Sequence, residues 1–281
     1  RLVPNRRALN WAFECCQIVF PETKLEDWDV LAAYAPSTCS FCHIDLVCRS
    51  TALDFNGHPG APEPDTFGLF LRVTNSYNGH RALAYDIGFL RKVCTNGMIG
   101  PHSVIRWKYD HQWPDIGDRI RFDVDPDALA SAKLGFVGSV DVLRECPVPA
   151  PWFKPLVQAV LQIHEPEKNE PDSPATKQWQ ALDAHLDELC QRYRREVGEN
   201  AYAVLNAVTD FASRPPRQSL VRRDRDAFQR MAGSWLVAFS VECRRPGFVL
   251  SEYVKRLAAS NGRRPQWFGH VERPGPNVEQ A

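Results

Sequence analysis

Apolar positions recur at two periods along this chain: alternation through much of the first half, and spacing by threes and fours through the second. From Arg6 to Phe20, the residues Leu9, Phe13, Cys16 and Phe20 fall at i, i+4, i+7 and i+11, which predicts a helix with those four on one face, closed by Pro21. Lys24 to Tyr34 forms a short second element around Trp28, and Thr38 to Arg49 alternates towards a strand ending in Ile44, Leu46 and Val47. The Gly/Pro-rich stretch Asn56 to Asp65 is expected to be a surface loop. Phe67 to Thr74 and Arg81 to Val93 are strand runs joined by Asn75-Ser76-Tyr77-Asn78-Gly79-His80, whose Asn-Gly pair predicts a β-hairpin. Ser103 to Tyr109 sets Val104, Arg106 and Lys108 on one face against Ile105, Trp107 and Tyr109 on the other. Ile116 to Val124 reads as a further strand.

From Pro126 the period lengthens. Trp152, Leu156, Ala159, Val160 and Ile163 mark one helix, and Trp179, Leu182, Leu186, Leu189, Cys190 and Tyr193 another that runs to about Val197. A third covers Ala201 to Ala212 and stops at Arg214-Pro215-Pro216-Arg217; two more lie around Asp226 to Cys243 and Val249 to Ala259. The expected fold class is α+β, with an N-terminal helix, a central antiparallel sheet and a helical C-terminal half. Residues 1–150 are expected as the core domain, 151–262 as the helical region and 263–281 as a loose tail.

Composition changes this picture little: 281 residues, 44% hydrophobic and 24% charged, suit a globular chain. No apolar run approaches the ~18–20 residues needed to cross a bilayer, so no membrane partner is expected. The nine cysteines, an odd number with several inside apolar runs, point to reduced core thiols and a cytoplasmic setting.

Charge changes it more. Asp110 to Glu199 carries 10 Lys/Arg against 17 Asp/Glu, a net −7, whereas Arg214 to Arg273 carries 13 against 5, a net +8. Such asymmetry fits either contact with a polyanion or two surfaces that neutralise each other. Twelve of the 13 basic residues are arginine, whose planar fork suits phosphate and base edges.

The sharpest local pattern is Cys39-Ser40-Phe41-Cys42-His43. Its spelling matches c-type haem attachment, and Cys39, Cys42 and His43 have zinc-ligand spacing, but a structural zinc site commonly needs a second close pair, which is missing. Buried thiols on a strand are expected instead, with no cofactor. The adjacent Cys15 and Cys16 read as core packing. Asp123-Val124-Asp125-Pro126-Asp127 could gather a hard cation but lacks the rest of an EF-hand, so a solvated loop is expected. The chain carries no phosphate-binding loop, dinucleotide fingerprint, nucleophile elbow or zincin motif. The two Asn/Gly turns leave a site open for an enzyme of unrecognised class, lined by Asn75, Tyr77, Cys94 and Asn96.

Asn75-Ser76-Tyr77-Asn78-Gly79, followed by Ile87-Gly88-Phe89-Leu90-Arg91-Lys92-Val93-Cys94-Thr95-Asn96-Gly97-Met98, resembles an uncharacterised prokaryotic family, domain of unknown function 932, typical of phage, plasmid and mobile-element genes. The resemblance covers the first two thirds of the chain and stops short of the helices after Asp172. It implies a mobile-element or defence setting and brings no catalytic residues. In outline, strands followed by helices are also similar to the single-strand annealing recombinases of phages, a likeness of fold alone.

Together these features lead to an expected nucleic-acid-binding protein of a mobile element, acting on single strands, DNA above all, in replication, recombination or defence. Arg106, Lys108 and Tyr109 would supply cation and stacking surface, and Arg222, Arg223, Arg244 and Arg245 phosphate contacts. Self-association and a protein-interaction role in phage–host conflict stay open as alternatives.

Overall fold

The structure is a computed structural model that describes residues 3–21, 23–35, 38–55, 65–78, 81–91, 96–98, 105–113, 115–123, 126–165, 173–214, 216 and 225–260. Helix α1 (Asn5–Val19) leads through a 3-10 turn (Leu25–Asp27) into β1 (Trp28–Tyr34), β2 (Phe41–Phe55), β3 (Asp65–Ser76), β4 (Leu83–Arg91), β5 (Asn96–Met98) and β6 (Ile105–Tyr109). The six strands form one sheet in the order β1-β2-β3-β4-β5, and β6 shares the outer edge of β4 with β5. Every pairing is antiparallel. The expected hairpin is present, Thr74 facing Ala84 and Phe67 facing Arg91, and the same sheet holds β6.

Alternation assigns the two faces. Phe67, Leu69, Leu71 and Val73 of β3, with Leu83, Tyr85 and Ile87 of β4 and Tyr109 of β6, point into the main core. Helix α1 covers this face, tied to it by the Tyr85 hydroxyl, which donates to the Ala8 carbonyl at 2.9 Å. The buried stripe of α1 is Ala8, Trp11, Ala12, Cys15 and Cys16; of the predicted face, Cys16 and Phe20 are buried, whereas Leu9 and Phe13 are only half-buried. Two alanines on that stripe let the helix lie close to the strands.

The predicted strand over Ile116 to Val124 is helical instead: α2 (Ile116–Asp123) buries Ile116 and Ile120, four residues apart, and packs against α1. The charges at Asp118, Arg119 and Arg121 mimic alternation, but the one apolar pair has helical spacing. Gly117 permits the contact, since a Cβ there would lie 2.8 Å from the Trp11 indole nitrogen.

The helical half comprises α3 (Pro126–Glu145), α4 (Ala150–Leu161), α5 (Pro174–Glu196), α6 (Ala201–Ser213), α7 (Arg225–Glu242) and α8 (Leu250–Ala259). Ser173 caps α5 by accepting from the Thr176 amide at 3.1 Å, and Asn200 caps α6 by accepting from Ala203 at 2.9 Å. Helix α6 is central: every residue from Ala201 to Ala212 is buried, and α3, α4, α5 and α7 pack around it. One buried cluster runs from Val3 to Leu257 and crosses residue 150, with Phe136 of α3 edge-on to Phe67 of β3 at 5.2 Å.

Candidate functional site

The second face of the sheet carries charges that stand in rows beside a small apolar patch of Leu31, Val47 and Phe70. Cross-strand register aligns Asp45 of β2 with Arg72 of β3, Arg72 with Asp86 of β4, and Asp86 with Arg106 of β6, an alternation of sign across four neighbouring strands. Arg72 grips Asp45 in a bidentate fork, Nε to Oδ1 at 2.6 Å and Nη2 to Oδ2 at 2.7 Å. Nη2 also donates to Oε1 of Gln229 at 2.9 Å, and the next residue of α7, Arg230, approaches Asp86 at 3.7 Å. Asp45, Arg72, Asp86 and Gln229 are all buried. An ion pair removed from water in this way keeps its value only with good geometry and further hydrogen bonds, and Gln229 supplies one. The row thus docks α7 on the sheet and sets its register there.

One row further along the strands, His43, Thr74 and Ala84 are buried, and the row reaches solvent at its ends, Tyr34 of β1 and Lys108 of β6. His43 donates to or accepts from Thr74 through Nδ1 at 2.8 Å, and its Nε2 lies 3.3 Å from Arg81 Nη1. The Arg81 guanidinium sits 3.8 Å above the Phe41 ring. Tyr34, on the edge strand β1, is stacked parallel to His43 with centroids 6.4 Å apart and is 54% exposed. Phe41 meets His43 edge-on at 5.2 Å. Together they form a cluster of three aromatic rings and a guanidinium, open along the Tyr34 edge. Row geometry places Lys108 of β6, also exposed, at the other end of this line, through His43, Thr74 and Ala84. Four strand spacings make that about 19 Å.

The residues singled out in the sequence are distributed as follows. In register, Arg106 stands opposite Asp86 and Lys108 opposite Ala84, two residues apart on β6. Tyr109 does not belong with them: it is 1% exposed, packed edge-on against Tyr85 at 6.2 Å in the core, and Trp107 packs on the same core. Its ring is therefore not a stacking platform, because alternation turns it to the α1 side of the sheet. Arg244 and Arg245 are exposed just after α7, Arg245 bound to Glu242 at 2.7 Å. Arg222 and Arg223 lie outside the described residues. Ion pairs of the basic segment include those of Arg214 with Asp210, Arg230 with Asp86, and Arg245 and Arg256 with Glu242, carboxylates outside the acidic 110–199 stretch.

Of the turn-lined grouping, Asn75 and Tyr77 meet at the hairpin, but Asn96 does not join them. Asn75 adjoins the β4 end marked by Ala84, whereas Asn96 pairs with Arg91 at the other end, about 24 Å of extended strand away. Asn75 is fully buried and works as a fastener: its Nδ2 donates to the Val3 carbonyl and to Asn5 Oδ1, both at 2.8 Å. Tyr77 is exposed at the hairpin, and Cys94 lies outside the described residues. Among the proposed metal ligands, Cys39 is exposed, while Cys42 is buried with its thiol donating to Asn5 Oδ1 at 3.2 Å. Burial pushes the Cys42 thiol up. Cys42 and His43 are consecutive on β2 and so face opposite sides of the sheet, unable to hold one ion together. Cys15 and Cys16 are buried in the core, and burial pushes Cys15 up to about 12.

Sequence reading missed Tyr34, Phe41, Arg81 and the Asp45–Arg72–Asp86 row. A signal for the row existed: each of the three is a charge flanked on both sides by apolar residues of a strand, Ile44/Leu46, Leu71/Val73 and Tyr85/Ile87. Elsewhere, an open groove of about 660 Å³ lies between α4, α5 and α8, lined by Trp152, Trp179 and Lys154 among others. Lys154 is held there by Asp183 at 2.7 Å and Asp187 at 2.9 Å.

Among the described residues, no helix is long and apolar enough to cross a membrane, and no group of three His, Cys, Asp or Glu side chains is placed to hold a metal ion. No curated protein and no solved structure matches the chain. A family model described as Domain of unknown function (DUF932) matches residues 57–235. That span reaches past Asp172 to take in α5, α6 and much of α7, including Gln229 and Arg230, and leaves Tyr34, Phe41 and His43 before it. With well over half of its residues inside the match, the chain belongs to the DUF932 family.

Proposed function

We propose that this protein binds nucleic acid, single strands in preference to duplex, along the Tyr34–Phe41–His43–Arg81 edge of its sheet, in the replication, recombination or defence of a mobile element. The observation that carries this reading is the cluster itself, open at Tyr34: half-buried Arg81 stacked 3.8 Å over half-buried Phe41, beside a half-exposed Tyr34 lying parallel to the buried His43. Bases in a single strand offer both π-faces, so aromatic rings and guanidinium planes bind them with little regard to sequence. In a duplex those faces are already stacked. The Arg81 charge lies beside the rings, where a phosphate adjoining a stacked base would come. Exposed Lys108 and Arg244 add cations elsewhere on the surface. The mobile-element setting follows from the family resemblance.

The test is a titration of short single-stranded and duplex DNA and RNA by fluorescence anisotropy at several salt concentrations. Tyr34→Ala should weaken single-strand binding by about 5- to 150-fold, the range of one lost stacking contact. Arg81→Ala should weaken it and flatten the salt dependence by nearly one unit. Binding that is equally strong to duplex, or indifferent to both changes, would remove this reading.

A further inference from the structure

Among the described residues, the aromatic side chains most open to solvent are Tyr34, Tyr77 and Trp113, at 54%, 39% and 36% exposed. The other described aromatic rings of Phe, Trp and Tyr are buried or half-buried. All three exposed rings stand at one end of the sheet. There β1 stops at Tyr34, β3 stops at Ser76 just before Tyr77, and β6 stops at Tyr109 shortly before Trp113, while β2 and β4 begin. The turn that carries Trp113 is fixed on Asp110. Its carbonyl accepts from the Trp113 amide at 3.1 Å, and its carboxylate accepts from the Gln112 amide at 2.9 Å. The core ring of Tyr109 meets the indole edge-on at 6.4 Å.

Each flank of this lip layers a guanidinium on a ring. Arg81 lies 3.8 Å over Phe41 near β1, and Arg119 of α2 lies 4.2 Å over Trp113 beyond β6. Arg119 is exposed. A guanidinium already seated on a ring has less freedom left to lose, so its outer plane is a ready stacking surface for a base. The ring beneath adds cation–π attraction. Charge separates the two flanks. Exposed Asp110, Asp115 and Asp118 lie close to Trp113 in sequence, which makes that flank a poor place for phosphate and leaves stacking as its contribution.

We propose that a single strand crosses the lip from Tyr34, Phe41 and Arg81, past Tyr77, to the Arg119–Trp113 pair. Bases then stack at both ends of a path four strand spacings, or about 19 Å, wide. This inference rests on the nucleic-acid reading above and adds to it a second stacking platform and a minimum length of strand. Phosphate contact stays with the Arg81 flank.

The experiment measures the affinity of the full chain for oligothymidylates of about 4 to 16 nucleotides, the range of site sizes among single-strand binders, by fluorescence anisotropy. The unaltered protein should show a step in affinity at the length that first reaches both platforms. Trp113→Ala and Arg119→Ala should each remove that step. Affinity for the long oligomers then falls by about 5- to 150-fold, the range of one lost stacking contact, and that for oligomers too short to span the lip is unchanged. Trp113→Ala should also leave the salt slope as it was, whereas Arg81→Ala flattens it. Arg119→Ala keeps the indole packed on Tyr109, so it decides the matter even if Trp113→Ala fails to fold. A loss on Tyr34→Ala with no effect of Arg119→Ala at any length would overturn this inference and leave the binding reading standing. Failure to bind any oligomer would remove both.

Discussion

The buried fork between Arg72 and Asp45 gives the most exposed point of the structural argument. Their side chains are 3% and 4% accessible, and the pair is hydrogen-bonded at 2.6 and 2.7 Å with Gln229 closing the third contact. Arg72→Met keeps much of the volume and removes the charge, stranding the Asp45 carboxylate in the sheet. Breaking such a buried pair costs about 3–5 kcal/mol, because the remaining charge has lost its counterion and cannot recover its water. Domains carry ~5–15 kcal/mol in total, so this loss is a large share. At ~2–4 °C per kcal/mol for a chain of this size class, the melting temperature should fall by about 6–20 °C. Urea unfolding of Arg72→Met, Asp45→Leu and the double variant completes a cycle. The double variant should be more stable than the Arg72→Met single, since it leaves no orphaned charge. A loss below ~1 kcal/mol in Arg72→Met, or a cycle that simply adds, would refute the claim that this row docks α7 on the sheet.

Other outcomes follow from the same structure. Asn75→Ala removes the two hydrogen bonds that fasten Val3 and Asn5 and should cost about 1–3 kcal/mol in urea unfolding while leaving the β5 end of the sheet intact by hydrogen exchange. Gly117→Ala should destabilise, by ~1–3 kcal/mol of overpacking, in spite of alanine's better helix propensity, because the added methyl meets the buried Trp11; a neutral or stabilising result in a thermal melt would count against that packing. Replacing Arg244 and Arg245 together by Glu tests phosphate contact at the end of α7. If they bind phosphate, nucleic-acid affinity falls about equally for all sequences and the salt slope flattens by about one unit per lost contact. If Arg245 serves only its pair with Glu242, the melting temperature shifts by little, as exposed pairs do, and binding is unchanged.

Local sequence determined the elements wherever one period dominated a long run. The helices from Trp152 onward and the Phe67–Thr74 and Arg81–Val93 hairpin lie within a few residues of their expected positions, since burial of one face demands that spacing over many residues. It also determined that Lys108 and Tyr109 stand on opposite faces, because strand alternation leaves no choice. The family was legible in the Asn75–Gly79 and Ile87–Met98 stretches. Short segments were less constrained. Ile116 to Val124 offers two isoleucines among charges, and contact with Trp11 and α1 decided for a helix.

Which face is buried, and beside what, belonged to the tertiary structure. Tyr109 reads as a surface aromatic until α1 covers its side of the sheet, and Asn75 reads as turn chemistry until Val3 and Asn5 arrive more than 60 residues from upstream. The Tyr34–Phe41–His43–Arg81 cluster draws on β1, β2 and the approach to β4, so no window of the chain contains it. The Asp45–Arg72–Asp86 row needs three strands in register and a helix 157 residues beyond Arg72 to supply Gln229. Periodicity is a property of neighbours along the chain. Partnership of charges, rings and thiols is a property of neighbours in space, and only the closing of the sheet against α1 on one side and α7 on the other decides it.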